Sequence, residues 1–267
     1  MNIIKETKYI MIEDNEVPKI IFIVPYRNRE KELQIFRKSV NNIKEQYPNL
    51  KVLYIHQCDN RNFNRGAMKN IGFLVVKSMY PEQYHDINLI FHDVDIAPKT
   101  NTNTNYQTKV GEIKHFYGYK HTLGGIISVK SQDFEKVNGF ANFWTWGFED
   151  RIFQERIEKM NININRDDFF EITKQEEEIT DSHYILSPGT NERFVSKYEY
   201  NIFRKRIVLG IDDIQNLEYN IEDDFINVTQ FNVSNPEPKD LTNYDKGNWR
   251  TLKNIVSKKR GKPLIFK

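Results

Sequence analysis

Asp93 and Asp95 in "FHDVDIAP" close an apolar run with one valine between them. In an extended segment side chains at i and i+2 share a face, so both carboxylates point the same way. Two carboxylates this close repel unless a cation or hydrogen-bond donors sit between them. Oxygen ligands suit Mg²⁺ or Mn²⁺, and such an ion could hold a diphosphate. The plain alternative is a strand-end pair that caps a turn. "PYRNR" sets Arg27 and Arg29 directly after an apolar run, and guanidinium forks match phosphate oxygens. "NFNRGAMKNIGF" offers Phe63 and Arg65 before a helix, with Gly66 allowing close backbone approach. An aromatic face with a guanidinium suits a nucleobase; the alternative is a hydrophobic staple beside a surface arginine.

"FANFWTWGFEDRIFQERI" raises a different question. A chain with 3 Trp places two of them, Trp144 and Trp146, just before Glu149 and Asp150. Trp146-Gly147 reads as a mobile turn with an aromatic plate, and such plates bind the apolar faces of sugars. Glu149 and Asp150 open a helix, where the dipole favours carboxylates and keeps Asp150 ionised, as a general base must be. Ordinary N-terminal acids on a helix are the competing account. Further on, "TDSHYILSPGTNERF" places His183 two residues after Asp181, on one face if extended. That pair could complete a metal shell begun by Asp95; alternatively the histidine is structural. Pro188-Gly189 marks a loop beside it.

These residues need elements to hold them. Ile20–Val24 reads as a buried strand with a turn at Pro25, followed by a helix. "KVLYIH" is the next strand, and "NRGAMKNIGFLVVKSMY" a helix with Ala67, Ile71, Leu74 and Val75 on one face. "INLIFHDVDIAP" is a third strand, stopped by Pro98. This alternation predicts an α/β fold: a Rossmann-like, mainly parallel mixed sheet flanked by helices. Ligands bind such sheets beyond the carboxyl ends of the strands, where "PYRNR" and "HDVD" both fall. "NTNTNYQTK" reads as a loop, "GGIISV" as a short strand, and "SQDFEKV" as a helix with Ser131 as N-cap. "EDRIFQERIEKM" is a helix with Ile152, Phe153, Arg156 and Ile157 at helical spacing. The acid-rich stretch 167–181 reads as exposed, and "LEYNIEDDFINVTQFNV" as a late hairpin.

The 267 residues suffice for one large domain, here placed at 20–234 between an extension at 1–19 and a basic tail at 235–267. The tail carries nine Lys/Arg against two acids from Lys239 onward; it reads as a solvated appendage or an arm for a polyanion. Net charge is +2, so no global field argues for nucleic acid or a membrane surface. No run approaches the ~20 apolar residues of a membrane span. There is one cysteine, Cys58, and no apolar run of signal-peptide type, so the expected setting is reducing and cytoplasmic.

Taken in order, "VPYRNR", "FNRGAMKNIGF", "HDVDIAP" and "GGIISVKSQDFEKVNGFANFWTWGFED" resemble the blocks of the β-1,4-galactosyltransferase family, over about Ile20 to Ile221. Polypeptide N-acetylgalactosaminyltransferases share a looser version of the last block. The resemblance implies a GT-A fold and inverting, Mn²⁺-dependent transfer of a hexose from a UDP-sugar to a sugar hydroxyl of a glycan, glycoside or glycosylated protein. Galactose and N-acetylgalactosamine are both credible donors, and Mg²⁺ is a possible substitute metal. By position, Pro25, Tyr26, Arg27 and Arg29 would hold the UDP moiety. Phe63 with Arg65 would frame the uracil, Asp93 with Val94 would contact the nucleotide sugar, and Asp95 would ligate the metal. Trp146 would sit between donor and acceptor on a small mobile loop. Glu149 would hold a sugar, and Asp150 would be the general base.

The chain departs from the pattern at several positions. Thr122 stands where the family usually has a tyrosine that restricts the donor to galactose. Phe148 replaces a glycine, which could narrow the acceptor site, and Arg151 replaces a further acid. Near His183, where members carry a methionine three residues earlier or a histidine two residues earlier, this chain has Thr180 and Asp181. Asp181 is the favoured ligand of the two. Two other classes stay in play: a UDP-glucose or other hexose enzyme or an inactive sugar-nucleotide or glycan-binding module on the same scaffold, and a metal nuclease or nucleic-acid binder. The last lacks a clustered third and fourth carboxylate.

Overall fold

A computed structural model describes residues 17–98, 104–144, 147–171, 183–185, 195 and 197–238. The run "IIFIVPY" forms β1 (Ile20–Tyr26) and is buried along its whole length. Its side chains alternate between two separate cores. Ile21 and Ile23 face one and Ile20, Phe22 and Val24 the other. A strand covered on both faces must be apolar throughout, which is why the run shows no polar alternation. β2 (Lys51–Gln57) and β3 (Asn88–His92) flank β1 in parallel register. Helix α1 (Glu30–Gln46) covers one face through Leu33, Phe36, Val40 and Ile43. Helix α2 (Arg65–Met79) covers the other and is buried on nearly every side from Gly66 to Phe73, more than the single apolar face expected.

The sheet is mixed and nine-stranded among the described residues. β5 (Glu112–Gly118) and β6 (Ile126–Lys130) join β3 in antiparallel fashion. β7 (Asn163–Asn165) and β8 (Phe170–Glu171) pair with β5 at the far edge. The late hairpin forms as expected. Its strands β10 (Gln215–Glu222) and β11 (Phe225–Asn232) extend the other edge, with β11 parallel to β2. Helices α3 (Ser131–Lys136), α4 (Glu149–Lys159) and α5 (Lys197–Lys205) complete the described fold.

Three local expectations are corrected. The third strand does not run through "HDVDIAP". It stops at His92, turns at Val94 and Asp95, and resumes as β4 (Ile96–Pro98), which pairs with β9 (His183–Ile185) in a separate two-stranded sheet. Ser131 is the first helical residue of α3 and Lys130 its N-cap; the Ser131 hydroxyl is buried without a partner among the described residues. β1 continues through Pro25 to Tyr26 instead of turning there. Proline fits because it still accepts in the ladder while donating nothing.

Candidate active site

The parallel strands all end at one edge, and the chain leaving each of them supplies the site. After β1 comes Arg27, whose guanidinium donates to the Asp59 and Arg61 carbonyls beyond β2. This ties the first loop to the second. Arg29 is exposed and lies 3.1 Å from Glu32. A cleft of about 420 Å³ opens here, lined by Pro25, Arg27, Arg29, Phe63, Arg65, Asp93, Val94 and Asp95. Eight of the residues singled out from the sequence therefore share one cavity. Tyr26 does not. Its side chain points to the opposite face of β1 and packs against His56 and Phe225, as strand alternation requires of a residue next to Pro25.

Arg65 is the hub. It starts α2, where a cation opposes the helix dipole and no acid lies in the first turn. Carboxylates from other elements offset this. Its Nε and Nη2 fork onto Asp93 at 2.9 and 2.7 Å, and Nη1 reaches Glu149 Oε1 at 2.7 Å and both Asp150 oxygens at 2.9 and 3.0 Å. So Arg65 lines the cleft, but each of these donors goes to a carboxylate. Phe63 is the aromatic ring among the described residues that line the cleft. The three acids hold the Arg65 pKa well above its ordinary value despite burial.

The acids respond to the same field. Burial alone pushes Asp150 up, but Arg65 and then Lys69 reverse this and leave it below the usual aspartate range. Glu149 is pushed up by burial and by Asp150. It is 4% exposed, and its Oε2 has no partner among the described residues. Burial and the neighbouring Asp93 push Asp95 up to about 6. Arg65 and Arg29 offset this only in part, and the hard oxygen donors of the pair fit a divalent cation.

Local sequence explains why these groups meet. Asn64 caps α2 by accepting from the Ala67 amide at 2.9 Å, and donates to the Asn142 carbonyl. Asn70 bonds Phe140 and Asn142, pinning the irregular stretch ahead of Trp144. Gly66 is required, since a Cβ there would collide with the Ala141 carbonyl oxygen. Gly124 leaves room for the Asp150 carboxylate in the same way. Trp144 packs beneath, stacked on Phe231, with Arg61 over its ring and its indole donating to Asn235.

Phe148 is the N-cap of α4 in the left-handed region, φ +67°. That conformation is ordinary for glycine and costly for a bulky side chain, which accounts for the glycine of the family pattern. The Phe148 ring is buried among Phe143, Ile152, Tyr200 and Phe203. It fills a core. Thr122 lies in a turn after β5, its amide donating to the Tyr119 carbonyl.

Trp146, Thr180, Asp181 and Pro188-Gly189 lie outside the described residues. The backbone of His183 is described: it pairs with Pro98, so β9 runs beside the strand that follows Asp95. Among the described residues no cluster of three or more His, Cys, Asp or Glu could hold a metal. Sequence reasoning missed Lys69, which lies 3.2 Å from Asp150 and is 1% exposed. A lysine in a helix reads as a surface residue. The available signal was the run "GAMKNIGFLVV", whose small and apolar residues leave α2 no solvent face.

A central mixed sheet flanked by helices, with a cleft and paired acids at the strand ends, is the fold of GT-A glycosyltransferases. The catalytic domain of Drosophila β1,4-galactosyltransferase 7, solved with xylobiose, superposes with a TM-score of 0.59. That match covers 85% of this chain and 98% of that one at 20% identity. A mutant of the same enzyme holding manganese, UDP-Gal and xylobiose gives 0.58, at 21% identity and with the same coverage. A family model for the N-terminal region of glycosyl transferase group 7 matches residues 5–108, and one for the N-terminal domain of galactosyltransferase matches 104–179. Human β-1,4-galactosyltransferase 4 is 31% identical over 170 residues, covering 60% of this chain and 48% of that protein. The chain belongs to the β-1,4-galactosyltransferase family. It spans about half the length of such relatives. Among the described residues no helix is long and apolar enough to cross a membrane.

Proposed function

We propose that this chain is a metal-dependent, inverting glycosyltransferase that moves a hexose from a UDP-sugar to a sugar hydroxyl. The observation that carries the reading is Arg65. It joins Asp93, on the wall of a cleft lined by arginines and Phe63, to Glu149 and Asp150. A nucleotide-binding half and an acid pair are thus one construction. The manganese and UDP-Gal held by the fly relative support the same choice of donor and metal.

In this reading Phe63 stacks on the base, and Arg27 and Arg29 face the diphosphate. Asp95, with His183 and Asp181, would hold Mn²⁺ or Mg²⁺, which would supply charge neutralisation at the diphosphate. Glu149 has an unpartnered, buried oxygen that a sugar hydroxyl satisfies. Asp150 accepts the proton of the acceptor hydroxyl. The oxygen attacks the anomeric carbon as the bond to the diphosphate breaks on the opposite face, so configuration inverts in one displacement. Trp146 is the sugar plate between the two substrates. The donor is galactose or, given the small Thr122, N-acetylgalactosamine. The single cysteine supports a reducing, cytoplasmic setting.

Release of UDP from a panel of UDP-sugars, with Mn²⁺ or EDTA and simple sugar acceptors, tests the proposal. Mn²⁺-dependent turnover of one donor is expected. Tight UDP binding with no turnover of any donor or acceptor would favour a binding module, and no UDP binding would sink the reading.

A further inference from the structure

Lys69 has a cost that packing does not explain. It sits on α2 between Met68 and Asn70, both fully buried, and an apolar side chain would fill the same space. Burial and the nearby Arg65 push its pKa down. Its ammonium lies over the Phe140 ring at 4.3 Å and reaches Asp150 Oδ1 at 3.2 Å. Burying an ammonium is costly, and a single carboxylate with one aromatic face repays it only partly.

The two Asp150 oxygens are not equivalent. Oδ1 receives both Lys69 and Arg65. Oδ2 receives Arg65 alone, at 3.0 Å, and lies against Gly124, where the missing Cβ leaves it space. The two cations differ as well. Arg65 is shared among three acids and lines the cleft. Lys69 lies away from the cleft wall, and Asp150 is the acid it pairs with.

We propose that Lys69 is a positioning residue for the base: it fixes Asp150 Oδ1 from inside the fold, independently of Arg65, and leaves Oδ2 to take the proton. This rests on the reading of Asp150 as base. The charged groups around Asp150 are Arg65 and Lys69 from α2, Glu149 on its own helix, Asp93 across Arg65, and His115 from β5. Losing one cation from this set raises the Asp150 pKa, so the base stays protonated to a higher pH.

The test compares pH profiles of kcat/KM for the full chain, wild type against Lys69→Met, with UDP-sugar, Mn²⁺ and acceptor. The acid limb is expected to move up by about one pH unit, with roughly tenfold less transfer at its foot and an unchanged KM for the donor. Lys69→Gln serves the same purpose if the Met variant does not fold. Asp150→Asn is run alongside. Full transfer by Asp150→Asn overturns the base reading itself. An inactive Asp150→Asn with a Lys69→Met profile superimposable on wild type overturns the role of Lys69 alone. A uniform loss at every pH, with no displacement of the limb, reduces Lys69 to scaffolding and also overturns it.

Discussion

The N-termini of α2 and α4 meet at Arg65 and Asp150, yet they are built in opposite ways. α2 begins with a side-chain cap from Asn64, a glycine cut to fit Ala141, and a cation against its dipole. α4 begins with no side-chain cap, a phenylalanine in the left-handed region, and two acids that its dipole favours. The cation that violates local preference at the start of α2 is compensated from α4, whereas the left-handed Phe148 is held by its own apolar cluster. The Arg65 that α2 should not want is held by the acids of α4. The acids, too crowded to be left alone, are neutralised by Arg65 and Lys69. The lesson is that the site is stable as a pair of termini and not as two capped helices.

That comparison can be broken from either side. Arg65→Ala leaves Asp93, Glu149 and Asp150 buried without their common partner, and should cost about 3–5 kcal/mol in urea unfolding. A loss below about 1 kcal/mol would mean the acids do not depend on it. Asp150→Asn keeps two of the three Arg65 pairs. It should lower kcat about a thousandfold while leaving UDP binding intact, which a nucleotide titration beside the transfer assay would check.

pH probes the same junction through His115, which is buried behind Gly124. Its Nε2 lies between the Tyr117 and Gly124 carbonyls, and its Nδ1 accepts from Arg166 at 3.1 Å. Burial and Arg166 lower its pKa to about 4. The unfolded chain takes a proton near 6.5 and the native state does not. Stability from this group is therefore present above about pH 6.5 and lost as pH falls towards 4, by up to about 3 kcal/mol. Melting curves from pH 7 to 4 should show that decline, and His115→Gln should flatten it.

The smallest effects sharpen the two caps. Phe148→Gly removes a buried ring but relieves the left-handed φ. It should cost about 1–2 kcal/mol less than Phe203→Ala in the same cluster. Equal costs would show that Phe148 stores no strain. Asn64→Ala should lose about 2 kcal/mol, since it removes both the cap and a buried hydrogen bond to the Asn142 carbonyl.

Much of this was readable before any coordinates. Continuous apolar runs marked β1, β2 and β3, and the parallel register followed from the helices between them. Most cleft residues were legible because they lie at or just past the end of such a run, and Phe63 and Arg65 because they stand at the start of a helix. What failed had physical causes. Asp93 and Asp95 looked extended because the apolar run before them is a strand, but a turn between them sends β4 into a second sheet. β5 was hidden because "EIKHFYG" mixes charged residues with its buried ones; it is an inner strand whose His115 is buried all the same. Tyr26 entered the list with Pro25 from the family resemblance, and strand alternation turns its side chain to the other face, where it does not line the cleft. Lys69 was invisible because its role depends on Asp150, 81 residues away in the chain.

Cys58 follows β2 at the rim of these events, exposed, and it is the one thiol in the chain. The next residue, Asp59, accepts from Arg27 through its carbonyl. Burial and Asp59 raise the thiol pKa, so labelling calls for mildly alkaline buffer. A single environment-sensitive fluorophore attached there would report on the Arg27 loop without any engineered cysteine. It would give an optical titration of nucleotide that needs neither an acceptor nor turnover.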